Sequence, residues 1–322
     1  MNHVTAALFA IAIILPIAGA DAQTYPSRPL RFISESAAGS IIDVAMRRVL
    51  PDLSARLGQP AILENRTGSS GIMATETCAR AAPDGYTACI VSANTVSFNP
   101  NVFSRLPYDP ERDLKPVTRL FFLNSALTVS GTLPAQTMDQ LREYVVARPG
   151  KLNFGTLGPG SQTDVFRQFL VDQWKSDIVG VPYKSGNLVV NALVSGEIEM
   201  GMLAISSVVP QLQSGKARVI ALGAEQRSKQ LPGVPVLKDF GLDEGNSRVF
   251  WGIMLTSGVS DAIVARLNVE LVGILQDAKV IEFLESRFLE PAPSTAQEFA
   301  AFLRSDRAQV ARLVTKYNVP RQ

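Results

Sequence analysis

The chain has 322 residues, 46% of them hydrophobic, and its 31 Lys and Arg against 29 Asp and Glu leave a formal charge of +2. Charge this scattered and this balanced excludes an electrostatic nucleic-acid surface, while the length allows two domains with cores of their own. The single histidine, His3, stands in what reads as a removable leader. Without it the chain has no Ser-His-Asp or Cys-His catalysis and no histidine-containing metal site.

Residues 1–22 form that leader. An apolar run, Ala6 to Ile17, is too short to span a bilayer and gives way to Pro16–Gly19 and the small-residue site Ala20-Asp21-Ala22. The run is preceded by no Lys or Arg, a departure from the usual pattern. No Cys follows the cleavage site, so a lipid anchor is not expected. Cleavage would take 22 of 322 residues, leaving 300, and the loss of Asp21 moves the charge from +2 to +3. The expectation is a soluble exported protein.

The mature chain opens on Tyr25-Pro-Ser-Arg-Pro29, a stiff extended lead-in. Leu30–Ile33 reads as a buried strand. The loop Ser36-Ala37-Ala38-Gly39-Ser40 then runs straight into an amphipathic helix through Ile41 and Asp43, with Met46, Leu50, Leu53 and Leu57 on one face. Pro51 should kink or interrupt that helix. Unpaired backbone N–H groups at a helix start suit an anion, above all a carboxylate.

Ala61–Leu63 is a second strand, and the turn-rich Glu64–Gly71 feeds a helix through Arg80. After the Pro83–Tyr86 turn, Thr87–Val91 is a third strand that ends on Ser92-Ala93-Asn94-Thr95. The order β-α-β-α-β implies parallel strands with right-handed crossovers, and ligands then sit beyond the carboxyl ends of the strands. Cys78 falls on the helix and Cys89 on the strand. Such a pair can bond in an oxidising compartment or remain two buried thiols, depending on whether both face the helix–sheet contact.

The apolar stretch Val117–Val129 reads as the crossing into a second domain. Thr137 opens a helix with Gln140 as a capping box, and Leu152–Phe154 is a strand. Gly155-Thr156-Leu157-Gly158-Pro159-Gly160-Ser161-Gln162-Thr163 then repeats the opening arrangement: strand, Gly-rich turn, helix start. One glycine-rich loop is weak evidence; a second in a matching position suits a ligand clamped between two lobes. Ile178–Pro182 and Ile198–Leu203 are further strands, with Ser206 and Ser207 at the end of the latter, and Val219–Gly223 leads back. Arg248–Leu255 carries Phe250 and Trp251, core side chains or cleft linings. Two amphipathic helices follow, the second opened by Thr295 and Glu298 as a capping box.

Several short markers, in order, resemble the substrate-binding proteins of tripartite tricarboxylate transporters, also called Bug receptors. They are Tyr25-Pro-Ser-Arg-Pro29, Leu57-Gly-Gln-Pro60, Glu64-Asn-Arg66, Ala82-Pro-Asp-Gly-Tyr86, Asn99-Pro100, Leu106-Pro-Tyr-Asp-Pro110, Arg148-Pro-Gly-Lys-Leu-Asn153 and Val181-Pro-Tyr-Lys184. The resemblance implies a two-lobed α/β periplasmic binding protein, each lobe a mostly parallel sheet flanked by helices, with the ligand cleft between. It implies lobe I at 23–123 plus 226–322, lobe II at 124–225, and hinges near Phe121–Ser125 and Gly223–Arg227. The small carboxylate would be held by Ser36, Ala37, Gly39, Ser40, Ile41 and Asp43 in the first loop. Ser92, Asn94 and Thr95 would form a third region, and Thr156, Gly158, Gly160, Ser161, Gln162 and Thr163 the second-lobe loop, with Leu203 and Ser207 nearby.

Two departures bear on the ligand. Where the family has a Pro-Gly-Gly-Gly-Thr type run this chain has Ala38-Gly-Ser-Ile-Ile42, and Leu203 stands where family members often carry an Asp. Together they disfavour an amino acid and favour a carboxylate with an apolar or aromatic body. The resulting expectation is a monomeric receptor without cofactor, metal or catalytic residue, handing its ligand to membrane subunits of the transporter. A sensory receptor docking on a membrane sensor needs the same clamp. A histidine-free hydrolase using Ser92 or Ser161 is the competing class, against which stands the lack of a Gly-x-Ser-x-Gly turn.

Overall fold

A computed structural model describes residues 25–245 and 248–321. The leader at 1–22, with its cleavage site and His3, lies outside the described residues. The first sheet begins with β1 (Leu30–Ser34), β2 (Ala61–Asn65) and β3 (Thr87–Ser92), joined through α1 (Ile41–Leu57) and α2 (Ile72–Ala79). These three strands pair in parallel with β1 in the middle, as the βαβ pattern requires. Leu30 and Phe32 of β1 and Met46, Val49 and Leu53 of α1 are fully buried in one cluster. Each such side chain contributes roughly 1.5–3 kcal/mol.

Pro51 does not interrupt α1, contrary to expectation: the helix runs unbroken from Ile41 to Leu57. The proline is exposed, so its ring meets solvent and the lost hydrogen bond is confined to the outer face of the helix.

Beyond β3 the chain makes a wide helical turn over Asn94–Phe98 and a short α3 (Asn99–Val102). The apolar stretch read as one crossing is two strands, β4 (Leu114–Leu123) and β5 (Ser125–Ser130), one in each sheet. Asn124 alone separates them. The second sheet grows through α4 (Met138–Val146), β6 (Asn153–Thr156), α5 (Gln162–Trp174), β7 (Val179–Pro182), α6 (Gly186–Ser195), β8 (Met200–Ala204), α7 (Ile205–Gln213) and β9 (Ala217–Leu222). The chain then returns to the first sheet with β10 (Phe250–Thr256), α8 (Asp261–Leu275), α9 (Ala278–Glu285), β11 (Leu289–Pro291) and α10 (Ala296–Lys316).

The strand orders are β11-β4-β10-β3-β1-β2 and β7-β6-β8-β5-β9. Pairing is parallel among β2-β1-β3 and β7-β6-β8, and antiparallel where the crossing strands join. The two passages between sheets lie beside hydrogen-bonded ends, with Leu123 N–H donating to the Val249 carbonyl at 2.9 Å and Gly223 N–H to the Ser125 carbonyl at 2.8 Å. In the returning segment, Leu237 and Leu242 are buried in the second sheet's core.

Phe250 packs edge-on against Phe122, Phe299 and Phe302, and Trp251 against Phe121. Both rings are core. The Thr295–Glu298 capping box is complete. The Thr137 hydroxyl caps α4, but the Gln140 side chain accepts from Gln136 N–H rather than from Thr137.

Candidate ligand-binding site

Two helix starts share one local design, Gly-Ser-x-x-Asp. In the first, Gly39 has φ +77° and its N–H donates to Asp43 Oδ2 at 2.9 Å, while Ser40 Oγ accepts from Asp43 N–H at 3.2 Å. In the second, Gly160 has φ +74°, its N–H donates to Asp164 Oδ2 at 3.0 Å, and Ser161 Oγ accepts from Asp164 N–H at 3.3 Å. Glycine is required at both positions because the left-handed backbone penalises any Cβ. Each aspartate is clamped by an arginine one turn on, Arg47 or Arg167, at 2.9 Å. The Arg47 guanidinium holds the Asp43 carboxyl below the usual range, against the effect of burial.

A cavity of about 510 Å³ lies between the sheets, and the second of these helix starts opens onto it. Its second-sheet wall includes Leu157, Gly160, Ser161, Gln162 and Thr163 with Val189, Met202, Leu203 and Ser207. Its first-sheet wall is Ser70, Asn94, Phe98, Asn99, Val102 and Phe103, and Leu123, Ser125 and Val249 line it at the crossings. None of the described residues lining it carries a charge. Hydroxyls, amides and the first turn of α5 supply all its polarity. The first N–H groups of a helix have no carbonyl of their own to pair with, so this turn carries the positive end of the dipole.

Among the expected site residues, Asn94, Gly160, Ser161, Gln162, Thr163, Leu203 and Ser207 are thus brought together. Thr156 and Gly158 belong to the same loop without lining the cavity; their contact is internal, Gly158 N–H donating to Thr156 Oγ1 at 3.3 Å. Ser92 and Thr95 are buried behind the wall, exchanging hydrogen bonds of 3.1 and 3.4 Å. Ser36, Ala37, Gly39, Ser40, Ile41 and Asp43 of the first loop are not among the residues lining this cavity. Ile42, with its expected apolar bulk, is buried in the first sheet's core instead, and Ile41 packs beside that core.

Ser70 lines the cavity from the first lobe. Its carbonyl accepts from Asn94 Nδ2 at 3.1 Å and from Asn99 Nδ2 at 3.0 Å, tying the segment before α2 to the helical turn after β3. Gly71 follows at φ +80°, and a Cβ there would fall on the Glu35 carboxylate and Thr95. Burial pushes Glu35 up to about 7, opposed by hydrogen bonding with Ser92 and Thr95. The Asn99-Pro100 pair was a sequence signal for this wall. The two phenylalanines and Ser70 carried none, because apolar residues that line a cavity look in sequence like any core residue.

Cys78 and Cys89 form a disulfide between α2 and β3, resolving the two alternatives. Among the described residues there is no group of three or more His, Cys, Asp or Glu placed to hold a metal ion, and no helix long and apolar enough to cross a membrane.

Residues 45–319 match the model of the tripartite tricarboxylate transporter family receptor, TctC. The chain is 27% identical to the protein BugT of Bordetella pertussis over 309 residues, 94% of this chain and 95% of that one. A solved structure described as a periplasmic transporter is 32% identical, with a TM-score of 0.79, and the match covers 92% of this chain and 99% of the other. MatC of Rhodopseudomonas palustris, solved with bound malate, is 26% identical with a TM-score of 0.73, over 90% of this chain and all of MatC.

Proposed function

The chain belongs to the tripartite tricarboxylate transporter receptor family, a family of substrate-binding receptors rather than enzymes, and from that premise we propose that it captures a small monocarboxylate with an apolar or aromatic body in the periplasm. The lobes are taken as 23–123 plus 226–322 and 124–225, with the returning residues Leu237 and Leu242 packed on the second. Closure hinges on the neighbouring passages at Asn124, at Gly223 and at Val249, where the chain is hydrogen-bonded as it passes between the lobes. The loaded monomer delivers its ligand to the membrane subunits of a tripartite transporter.

One observation carries this reading: a cavity lined by no charged side chain, with Ser70, Asn94 and Asn99 on one wall and Ser161, Gln162, Thr163 and Ser207 on the other, set among Phe98, Val102, Phe103, Leu157, Val189, Met202 and Leu203. One carboxylate can be held by the first turn of α5, with Ser161, Thr163 and Ser207 about it. Helix-start N–H groups stabilise an anion by roughly 0.3–1 kcal/mol at the surface and up to about 2 when partly buried. A second carboxylate, as in malate, would meet no cationic side chain in the lining, and a buried unpaired charge costs several kcal/mol. An α-ammonium group would find no carboxylate. Leu203, buried at 4% exposure, supplies a methyl-lined surface there.

A thermal-shift screen against benzoate, hexanoate, malate and aspartate tests the reading. Benzoate or hexanoate at 100 times its dissociation constant should add about 2.7 kcal/mol of stability and raise the melting temperature. A shift with aspartate or malate alone would overturn it.

A further inference from the structure

The segment that follows α10 touches both walls of the cavity from behind. Val319, only 8% exposed, packs in one cluster with Phe98 and Val102 of the first-lobe wall, with Val165 of α5, and with Val310, Leu313 and Val314 of α10. It lies on the ligand-facing loop itself: a Cβ on Gly160 would come within 2.5 Å of Val319 Cγ1. A left-handed Asn318, φ +49°, turns the chain onto that glycine, and Val319 N–H donates to the Val314 carbonyl at 3.0 Å. At the other end of α5, Lys316 Nζ meets Asp172 Oδ2 at 2.6 Å. Lys316 and Lys175 together draw Asp172 down to about 2. Tyr317 packs against the second lobe's core.

The body of α10 belongs to the first lobe, where Phe299 and Leu303 are buried beside Phe122 and Phe250. One helix is therefore rooted in one lobe, and its extension lies along α5 of the other. Lobe II cannot turn about the passages at Asn124, Gly223 and Val249 without either drawing Val319 off Gly160 or carrying the segment along.

We infer that Val319 is a positioning residue for the ligand loop: by bearing on Gly160 it holds the Pro159–Thr163 turn and the start of α5 against the first lobe. The ligand-related part rests on the reading of the cavity given above; the mechanical part does not. Phe98 and Val102 on one side and Gly160 on the other then move as a unit, so the cavity is partly assembled before any ligand arrives. A binding-competent arrangement populated in advance raises apparent affinity in proportion to its population.

The test is hydrogen exchange on the full protein without ligand, comparing the wild type with Val319→Ser, Val319→Ile and Lys316→Met. Val319→Ser should raise exchange at amides 164–168 roughly tenfold while amides 30–34 and 87–92 keep their rates, since local openings are independent of global unfolding. Val319→Ile should restore protection, and Lys316→Met should loosen the far end of α5 only. Unchanged rates at 164–168 would overturn the inference. So would a uniform rise throughout the protein, which would mean a purely global packing role. If the serine variant does not fold, the near-isosteric Val319→Thr carries the same test. Benzoate is added last: failure to protect these amides in the wild type would count against the monocarboxylate reading, while the ligand-free result still decides the role of Val319.

Discussion

Gly39-Ser40-Ile41-Ile42-Asp43 and Gly160-Ser161-Gln162-Thr163-Asp164 follow one plan, down to the aspartate that accepts from the glycine N–H and the arginine that clamps the aspartate. They differ at the two middle positions. In the first, Ile42 is buried in the core of its own lobe at 2% exposure, while Ala37, Ala38 and Gly39 before it are exposed. Gln162 and Thr163 turn the second toward the cavity. One self-capped design thus serves two settings, and only the second lines the cavity between the sheets.

The largest expected contrast is between the glycines. Gly160→Arg places a long side chain in the cavity and against Val319, and should weaken benzoate binding at least 1000-fold, about 4 kcal/mol. Gly39→Arg, with open space around its Cβ direction, costs the left-handed strain of roughly 1–2 kcal/mol in stability and leaves affinity within about threefold. Titration calorimetry on both variants checks the pair; equal loss of binding would mean that the first loop also holds the ligand.

The lobes differ in covalent bracing as well. The disulfide of the first lobe joins residues 11 apart, and removing it with Cys78→Ser and Cys89→Ser together should cost about 3 kcal/mol, read from urea unfolding. The loss should fall on the first lobe, leaving protection of β6 and α5 untouched.

Next come the aspartates. Asp43→Ala and Asp164→Ala each remove a buried, hydrogen-bonded carboxylate and should destabilise by about 1–3 kcal/mol, because each takes the acceptor from a glycine N–H. Only Asp164→Ala should also weaken benzoate. Similar effects on binding would erase the distinction between the loops.

The smallest effect concerns pH. Glu35, raised from 4.5 to about 7 by burial, holds its proton in the folded protein where the unfolded chain has lost it. Its contribution is therefore fully present below about pH 4.5 and is lost as pH rises through 7. Glu35→Gln should flatten that part of the stability–pH profile. An unaltered slope would show that the carboxyl is not the group responsible.

Much of this was legible in the residues. Alternating apolar strands and helix stripes showed the βαβ order, and the second Gly-rich loop pointed to a helix start that lines the cavity, since glycine and serine at a strand end carry a local backbone requirement. The first loop carries the same local signal, which holds no information about whether the two helix starts line the same cavity. Asn124 lies within the expected hinge Phe121–Ser125, but the break between two strands there was not legible. A single residue between two apolar strands leaves hydrophobicity unbroken while the chain changes sheets. Ser70 and Phe103 line the cavity through tertiary placement alone, without a pattern of their own.

The central claim, one carboxylate on an apolar body, is tested most directly by calorimetric titration with hexanoate and adipate, acids of equal chain length that differ by one carboxylate. The account predicts that hexanoate binds at least about tenfold more tightly, a difference of roughly 1.4 kcal/mol. Tighter binding of adipate would show that the apolar wall accommodates a second charge, and would contradict the account.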